Sequence, residues 1–207
     1  MQLAKLHPEW LYAYIGACQL IDGPESERRG WRFAMDAARR EHNSEAVHEL
    51  EAIAPYAAPG RIIPIKDIYV ERKWVSYYGG VMAHRRDNSA DSALAQLSPD
   101  YSDREIGRIW EGNKFATPYL LPDVVALDLR KTNKLAVPLI LFVGRHDRTV
   151  NSEVAATWFA TVKAPEKQLV WFEHSGHMPM TEEPGKFLLS LVRYARPIAE
   201  KAGDVAP

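Results

Sequence analysis

The chain predicts an α/β fold of about three parallel strands with a large helical insertion between the first strand and the other two. Three observations predict it. Leu139 to Val143 is a continuous apolar run, the pattern of a parallel strand covered on both faces. After it the rhythm is helix, strand, helix. Before it, from residue 24 to 135, apolar residues recur at helical spacing. The expected division is therefore a core made of 1–23 and 136–207, with 24–135 as a helical segment set into it.

The elements follow in order. Gln2 to Leu6 reads as a helical turn that His7-Pro8 ends, because proline disfavours helical geometry in the residue before it. So short a helix does not nucleate alone, which raises the expectation of polypeptide before Met1. Trp10 to Ala17 reads as the first strand. Phe33, Ala37 and Ala38 mark one helix, and Val47, Leu50 and Ala54 a second; Pro55 to Pro64, with Gly60, breaks the run. Ile68, Arg72 and Val75 mark a third, which Gly79-Gly80 can close because glycine accepts the left-handed cap. Ser102-Asp103-Arg104-Glu105 is a capping box, with Tyr101 and Ile106 placed as its hydrophobic staple. Ile106, Ile109 and Trp110 are the expected apolar face of that helix. Beyond Val137-Pro138 come the Leu139 strand, a helix with the stripe Val154, Trp158 and Val162, and a strand from Gln168 to Phe172. Phe187, Leu188, Leu191, Val192 and Ala195 form a closing amphipathic helix expected to dock on the sheet. The tail after Lys201 reads as loose.

Composition removes several function classes. The 26 basic and 27 acidic residues leave a formal charge of -1. With no basic run interleaved with aromatics, nucleic acid is not an expected partner. A single cysteine, Cys18, excludes an internal disulfide; its strand-like neighbours make it a small buried residue, with a catalytic thiol as the weaker alternative. His7, Pro8 and Glu9 interrupt the N-terminal apolar stretch, so it does not read as a signal peptide. No run approaches the roughly 20 apolar residues of a membrane span. The expectation is a soluble, cytoplasmic protein with no membrane partner.

Chemistry concentrates after the last two strands. The first is followed by Gly144-Arg145-His146-Asp147-Arg148-Thr149-Val150, the second by Glu173-His174-Ser175-Gly176-His177-Met178-Pro179. A carboxylate and a histidine at successive parallel strand ends are two members of a hydrolase triad. Imidazole suits a general base because its unperturbed pKa lies near 6.5. Asp147 would fix its tautomer and stabilise the imidazolium. The third member, a serine in G-x-S-x-G on a strand-to-helix turn, occurs nowhere in the 207 residues. Ser76, Ser102, Ser152, Ser175 and Ser190 all lack that glycine frame. His174 and His177 share a loop with no third ligand at a supporting spacing, so zinc is not expected there. His146 reads as structural, and the rival acids Asp123 and Asp128 precede the strand rather than follow it. His84 with Arg85 and Arg86 reads as solvated surface rather than an anion site. Trp74, Tyr77, Tyr78, Trp110 and Tyr119 either line a substrate pocket or form the core of the helical segment.

At these residues the chain resembles the α/β-hydrolase superfamily, in particular its proline iminopeptidase-like branch. His7-Pro8-Glu9-Trp10 and Tyr12-Ala13-Tyr14-Ile15-Gly16 resemble the passage into the sixth strand of that fold. Gly144-Arg145-His146-Asp147 with Val150 resembles the acid turn after the seventh, and His174-Ser175-Gly176-His177 the histidine loop after the eighth. The resemblance implies the C-terminal part of an α/β-hydrolase fold, with 24–135 as a helical cap, Asp147 and His177 as catalytic residues, and no cofactor. It implies ester or amide (peptide) hydrolysis by a Ser-His-Asp triad on a small-molecule or peptide substrate. The family's nucleophile-bearing N-terminal half has no counterpart here, so the chain reads as truncated and inactive alone. Two alternatives stand beside that reading: a non-catalytic binding or assembly module derived from the fold, and half of a split hydrolase completed by another chain. Self-association or a partner chain is expected, because the strand from Tyr12 to Ala17 would be an open edge. Leu11, Ile15, Leu139, Leu141 and Val143 are then expected to be partly wet.

Overall fold

A computed structural model of the chain describes residues 1–86, 93 and 96–204. The last residues of the tail read as loose, 205–207, lie outside that description. Helix α1 (Gln2–Leu6) and a 3-10 turn (Pro8–Trp10) lead into strand β1 (Tyr14–Ala17). Helices α2 (Gly23–Arg40), α3 (Ser44–Ala52), α4 (Ile65–Tyr77) and α5 (Asp103–Val125) follow. The chain then forms β2 (Leu139–Gly144), α6 (Ser152–Thr161) and β3 (Lys167–Phe172). It closes with α7 (Pro179–Glu182), α8 (Pro184–Ser190), a π-helical stretch (Leu191–Ala195) and α9 (Arg196–Lys201). The strands form one parallel sheet in the order β1-β2-β3, with Tyr14 opposite Leu139 and Leu139 opposite Lys167. All three therefore end at the same side of the sheet.

Strand β1 is shorter than the expected Trp10 to Ala17. Trp10 belongs to the 3-10 turn, where its ring stacks on His7 at 4.1 Å. Pairing begins where the Tyr14 N–H reaches the Pro138 carbonyl, at 2.8 Å. Its partner β2 begins only at Leu139, so it offers no strand for residues 10–13 to join.

The apolar run of β2 is explained by its two faces. Leu139, Leu141 and Val143 pack with Ala155, Trp158 and Val162; Ile140 and Phe142 pack on the other side with Phe172, Phe187, Leu191 and Tyr194. Every residue of β2 is buried. This corrects the expectation that Leu139, Leu141 and Val143 would be partly wet: as the central strand, β2 is covered by helices of this chain. The exposure falls instead on the β1 edge, where Trp10 is 66% and Ile15 38% exposed. Of the closing stripe, Phe187, Leu191 and Ala195 dock on the sheet, but Leu188 and Val192 face outward. The π-helical stretch changes the phase of the stripe, bringing Tyr194 and Ile198 inward.

Local signals place the helical segment. Asp22 caps α2 by accepting from Glu25 N at 3.0 Å, and Asn43 caps α3 through Ala46 N at 3.1 Å. Helix α4 ends in a Schellman turn: Gly79 adopts φ 78°, Gly80 N donates to Val75 O at 2.8 Å and Gly79 N to Ser76 O at 2.9 Å. The capping box of α5 is present, with Ser102 N donating to Glu105 Oε2 at 2.8 Å. Its expected apolar face is corrected, however. Ile106 is buried, but Ile109 and Trp110 are about half exposed, as Ile106 and Val125 are the buried residues of this helix. Residues 127–137 return to the sheet, where Leu129, Leu135 and Val137 join the core beside Trp158.

Candidate active site

Asp147 sits in the turn that follows β2 and is fully buried. Its Oδ1 accepts from Thr149 N at 2.8 Å and Val150 N at 3.1 Å, so the carboxylate closes its own turn. Its Oδ2 is left to face the loop after β3, where His177 Nδ1 lies 2.9 Å away. A carboxylate only accepts, so the shared proton sits on Nδ1 and Nε2 is the free basic nitrogen. Burial alone would lower the His177 pKa. The hydrogen bond and charge of Asp147 outweigh it, and the imidazole is raised above its ordinary value.

Backbone contacts fix this distance. A Cβ on Gly144 would overlap the carbonyl of Gly176, and one on Gly176 would overlap the carbonyl of Val81. Glycine is required at both positions because three stretches of main chain meet there. Residues 80–83, just after α4, clamp the acid turn and the histidine loop together. Arg148 N donates to Gly80 O at 2.9 Å, and His177 N to Val81 O at 2.6 Å. Ser26 in α2 adds a hydroxyl bond to Val150 O at 2.8 Å. The helical segment is thus fastened to the two loops that carry the pair.

Sequence reasoning missed the carboxylates that hold the histidine loop. Glu182 accepts from Ala83 N at 2.6 Å and Gly176 N at 2.8 Å. Glu183 accepts from His174 N at 3.0 Å and Ser175 Oγ at 2.7 Å. Their signal was only an acidic pair after Met178-Pro179, indistinguishable from a solvated helix start. A second missed group is a buried network in the helical segment, where Arg72 bridges Glu27 and Glu71 and Tyr56 OH donates to Glu27 Oε2 at 2.5 Å. Arg72 is near enough to oppose protonation of His177.

Cys18 is the third. It follows β1 with φ 49°, and its Sγ lies 3.8 Å from Gly176 O. One ligand-type atom each from Cys18, Asp147 and His177 lies within 4.8 Å of the others. Burial, then the Asp147 charge, push its thiol far above the ordinary value, which disfavours the thiolate a catalytic nucleophile needs.

The remaining candidates fall outside this cluster of contacts. His146 meets the ring of His84 at 4.6 Å, and His84 itself is exposed. Asp128 pairs with Arg130, whose hydrogen bonds hold its carboxyl down to about 2. Ser152 Oγ donates to Gly144 O and Ser190 Oγ to Lys186 O, while Ser102 and Ser175 serve Glu105 and Glu183. Trp74 is buried with Tyr77 and Tyr78 against it, whereas Trp110 and Tyr119 point outward at 52% and 72% exposure. No helix among the described residues is long and apolar enough to cross a membrane.

The parallel sheet, with an acid turn after one strand and a histidine loop after the next, is part of an α/β-hydrolase fold. Two solved structures share it: VinJ, with TM-score 0.54 and 15% identity, and proline iminopeptidase from Mycobacterium smegmatis, with TM-score 0.57 and 14% identity. They cover 94% and 97% of this chain, which spans 60% and 62% of theirs. In sequence the chain is similar to the probable aminopeptidase YbaC of Bacillus subtilis strain 168, 24% identical over 199 residues. That match covers 95% of this chain and 61% of the relative. A carboxylesterase of the same organism is 27% identical over 126 residues, 58% of this chain and 49% of its own length. No family model matches the chain. These likenesses support a relationship with the α/β-hydrolase superfamily and, within it, with peptidases and esterases. The chain spans less than two thirds of each of these proteins.

Proposed function

We propose that Asp147 and His177 are the acid and the base of a Ser-His-Asp triad for ester or amide (peptide) hydrolysis, with residues 24–135 as its cap. The observation that carries this is the 2.9 Å contact between His177 Nδ1 and an Asp147 carboxylate oriented by two backbone N–H groups. It leaves Nε2 to take a proton from a nucleophile and return it to the leaving group. The 207 residues contain no G-x-S-x-G, so the chain by itself is inactive under this reading. Names of the relatives favour a small ester or a peptide as substrate. A second reading, half of a split hydrolase completed by another chain, is favoured by the open β1 edge with Trp10 and Ile15 exposed beside it.

The purified 207-residue chain is expected to show no p-nitrophenyl ester turnover above a His177→Ala control, and no serine labelling by a fluorophosphonate. Losing the nucleophile alone removes roughly six orders of magnitude in the subtilisin series. Labelling of any serine would overturn the assignment. DNA upstream of the Met1 codon discriminates further: an in-frame G-x-S-x-G supports one longer hydrolase, and a separate adjacent frame supports the split enzyme. Either product should lose turnover on Asp147→Ala or His177→Ala. Retained turnover would remove the pair from the mechanism.

A further inference from the structure

We propose that Cys18, Asp147 and His177 form a binding site for one soft divalent cation of the zinc type, and that filling it disables the Asp147–His177 pair. The second clause rests on the hydrolase reading; the first does not.

The three residues follow the ends of β1, β2 and β3, so the parallel register itself brings them together. Their candidate ligand atoms all lie within 4.8 Å of one another. Tetrahedral zinc, with bonds of about 2.0–2.3 Å, spaces neighbouring ligand atoms ~3.5 Å apart, so closure needs an inward shift of about 1 Å. Thiol, imidazole and carboxylate are a donor set for zinc, cobalt or cadmium; calcium and magnesium take oxygen ligands.

Charge and hydrogen bonds favour the same ion. Cys18 and Asp147 are both buried. A thiolate and a carboxylate together neutralise a 2+ ion, meeting the requirement that buried charge be paired or bound to metal. Asp147 Oδ1 stays held by Thr149 N and Val150 N while Oδ2 turns to the ion. Those two N–H groups are the outer contacts that orient a metal ligand. His177 is the partly exposed member, with 30% of its side chain accessible, so the ion enters from its side under this proposal.

The balance is simple. The Cys18 S–H proton leaves to solvent as the sulfur–metal bond forms. The imidazole proton leaves Nδ1 and appears on Nε2, so the Asp147–His177 hydrogen bond breaks and Nδ1 binds the ion. With its proton on Nε2, the histidine no longer has a basic nitrogen facing a nucleophile. The ion is therefore an inhibitor of the arrangement rather than its cofactor.

Titration of the chelator-stripped 207-residue chain with Co2+ tests this. The expected result is one ion per chain, a thiolate-to-cobalt charge-transfer band, displacement of that band by Zn2+, and disappearance of the Asp147-bonded His177 Nδ1 proton from the NMR spectrum. Cys18→Ala should lose the band and weaken Co2+ binding at least tenfold. Cys18→Ser, with nearly native volume, serves if the alanine variant does not fold. Cobalt bound without the band, equal affinity in a folded Cys18 variant, or no binding at millimolar Co2+ would each overturn the site. The His177 Nδ1 signal in the stripped protein reads the Asp147–His177 pair separately, so failure of the metal site leaves the triad reading standing.

Discussion

Asp147 divides its work between two oxygens. Oδ1 holds the turn and Oδ2 holds the histidine, so the same side chain sets both the backbone and the pair. Its charge supports the raised pKa of His177. Asp147→Asn keeps the shape and removes the charge, so the His177 midpoint should fall, followed by 1H–15N NMR on metal-free protein. An unchanged midpoint would show that burial, not Asp147, governs the imidazole. Both residues were legible in the sequence because a strand pattern directly precedes each of their motifs. Cys18 as their neighbour was not. Its distance from His177 depends on strand register, and the two lie 159 positions apart in the sequence.

At the scale of elements, the strands after Pro138 were legible because β2 is apolar on both faces and Phe172 ends β3 in the core. The capping box announced the start of α5. What that helix packs against was not legible, since Ile109 and Trp110 follow the spacing of a buried stripe yet face outward. The polar network joining α2 and α4 was equally hidden: Arg72 entered only through its helical spacing with Ile68 and Val75, and nothing in the sequence singled out Glu27 or Glu71. Two carboxylates there face one guanidinium, and Glu71 Oε1 has no hydrogen-bond partner. Burial, only partly offset by Arg72, holds the Glu71 carboxyl well above its ordinary 4.5. The native state therefore keeps this proton more tightly than the unfolded chain. Its contribution to stability falls as pH rises from 4.5 toward the raised native value, then levels off. Glu71→Gln should flatten that slope in urea melts across the range and stabilise the protein relative to wild type at the alkaline end. Parallel profiles would mean that Glu71 ionises normally in the folded state.

For the whole molecule, the decisive asymmetry lies between the two sides of the sheet centre. Chain helices cover β2; among the described residues β1 and β3 each pair on one side only, and it is the β1 edge that borders exposed Trp10, Tyr12 and Ile15. An uncovered strand edge is a template for another chain. At low micromolar concentration, sedimentation equilibrium should show concentration-dependent mass, and Ile15→Lys should weaken the association at least tenfold, about 1.4 kcal/mol. A monodisperse monomer with a sharp cooperative melt would show that the edge is tolerated as it stands. The sequence indicated this edge through the number of strands, but it overstated the loss by extending it to β2.

The meeting of Gly144, Gly176 and Val81 has a mechanical consequence. Where main chain rests on main chain with no side chain between, there is nothing soft to compress. The contact acts as a hard stop that sets the spacing of the Asp147 and His177 loops. Rotamer changes elsewhere can alter what approaches the histidine, but they have little leverage on its distance from the aspartate. The alignment of the two side chains is therefore set during folding, by backbone resting on backbone.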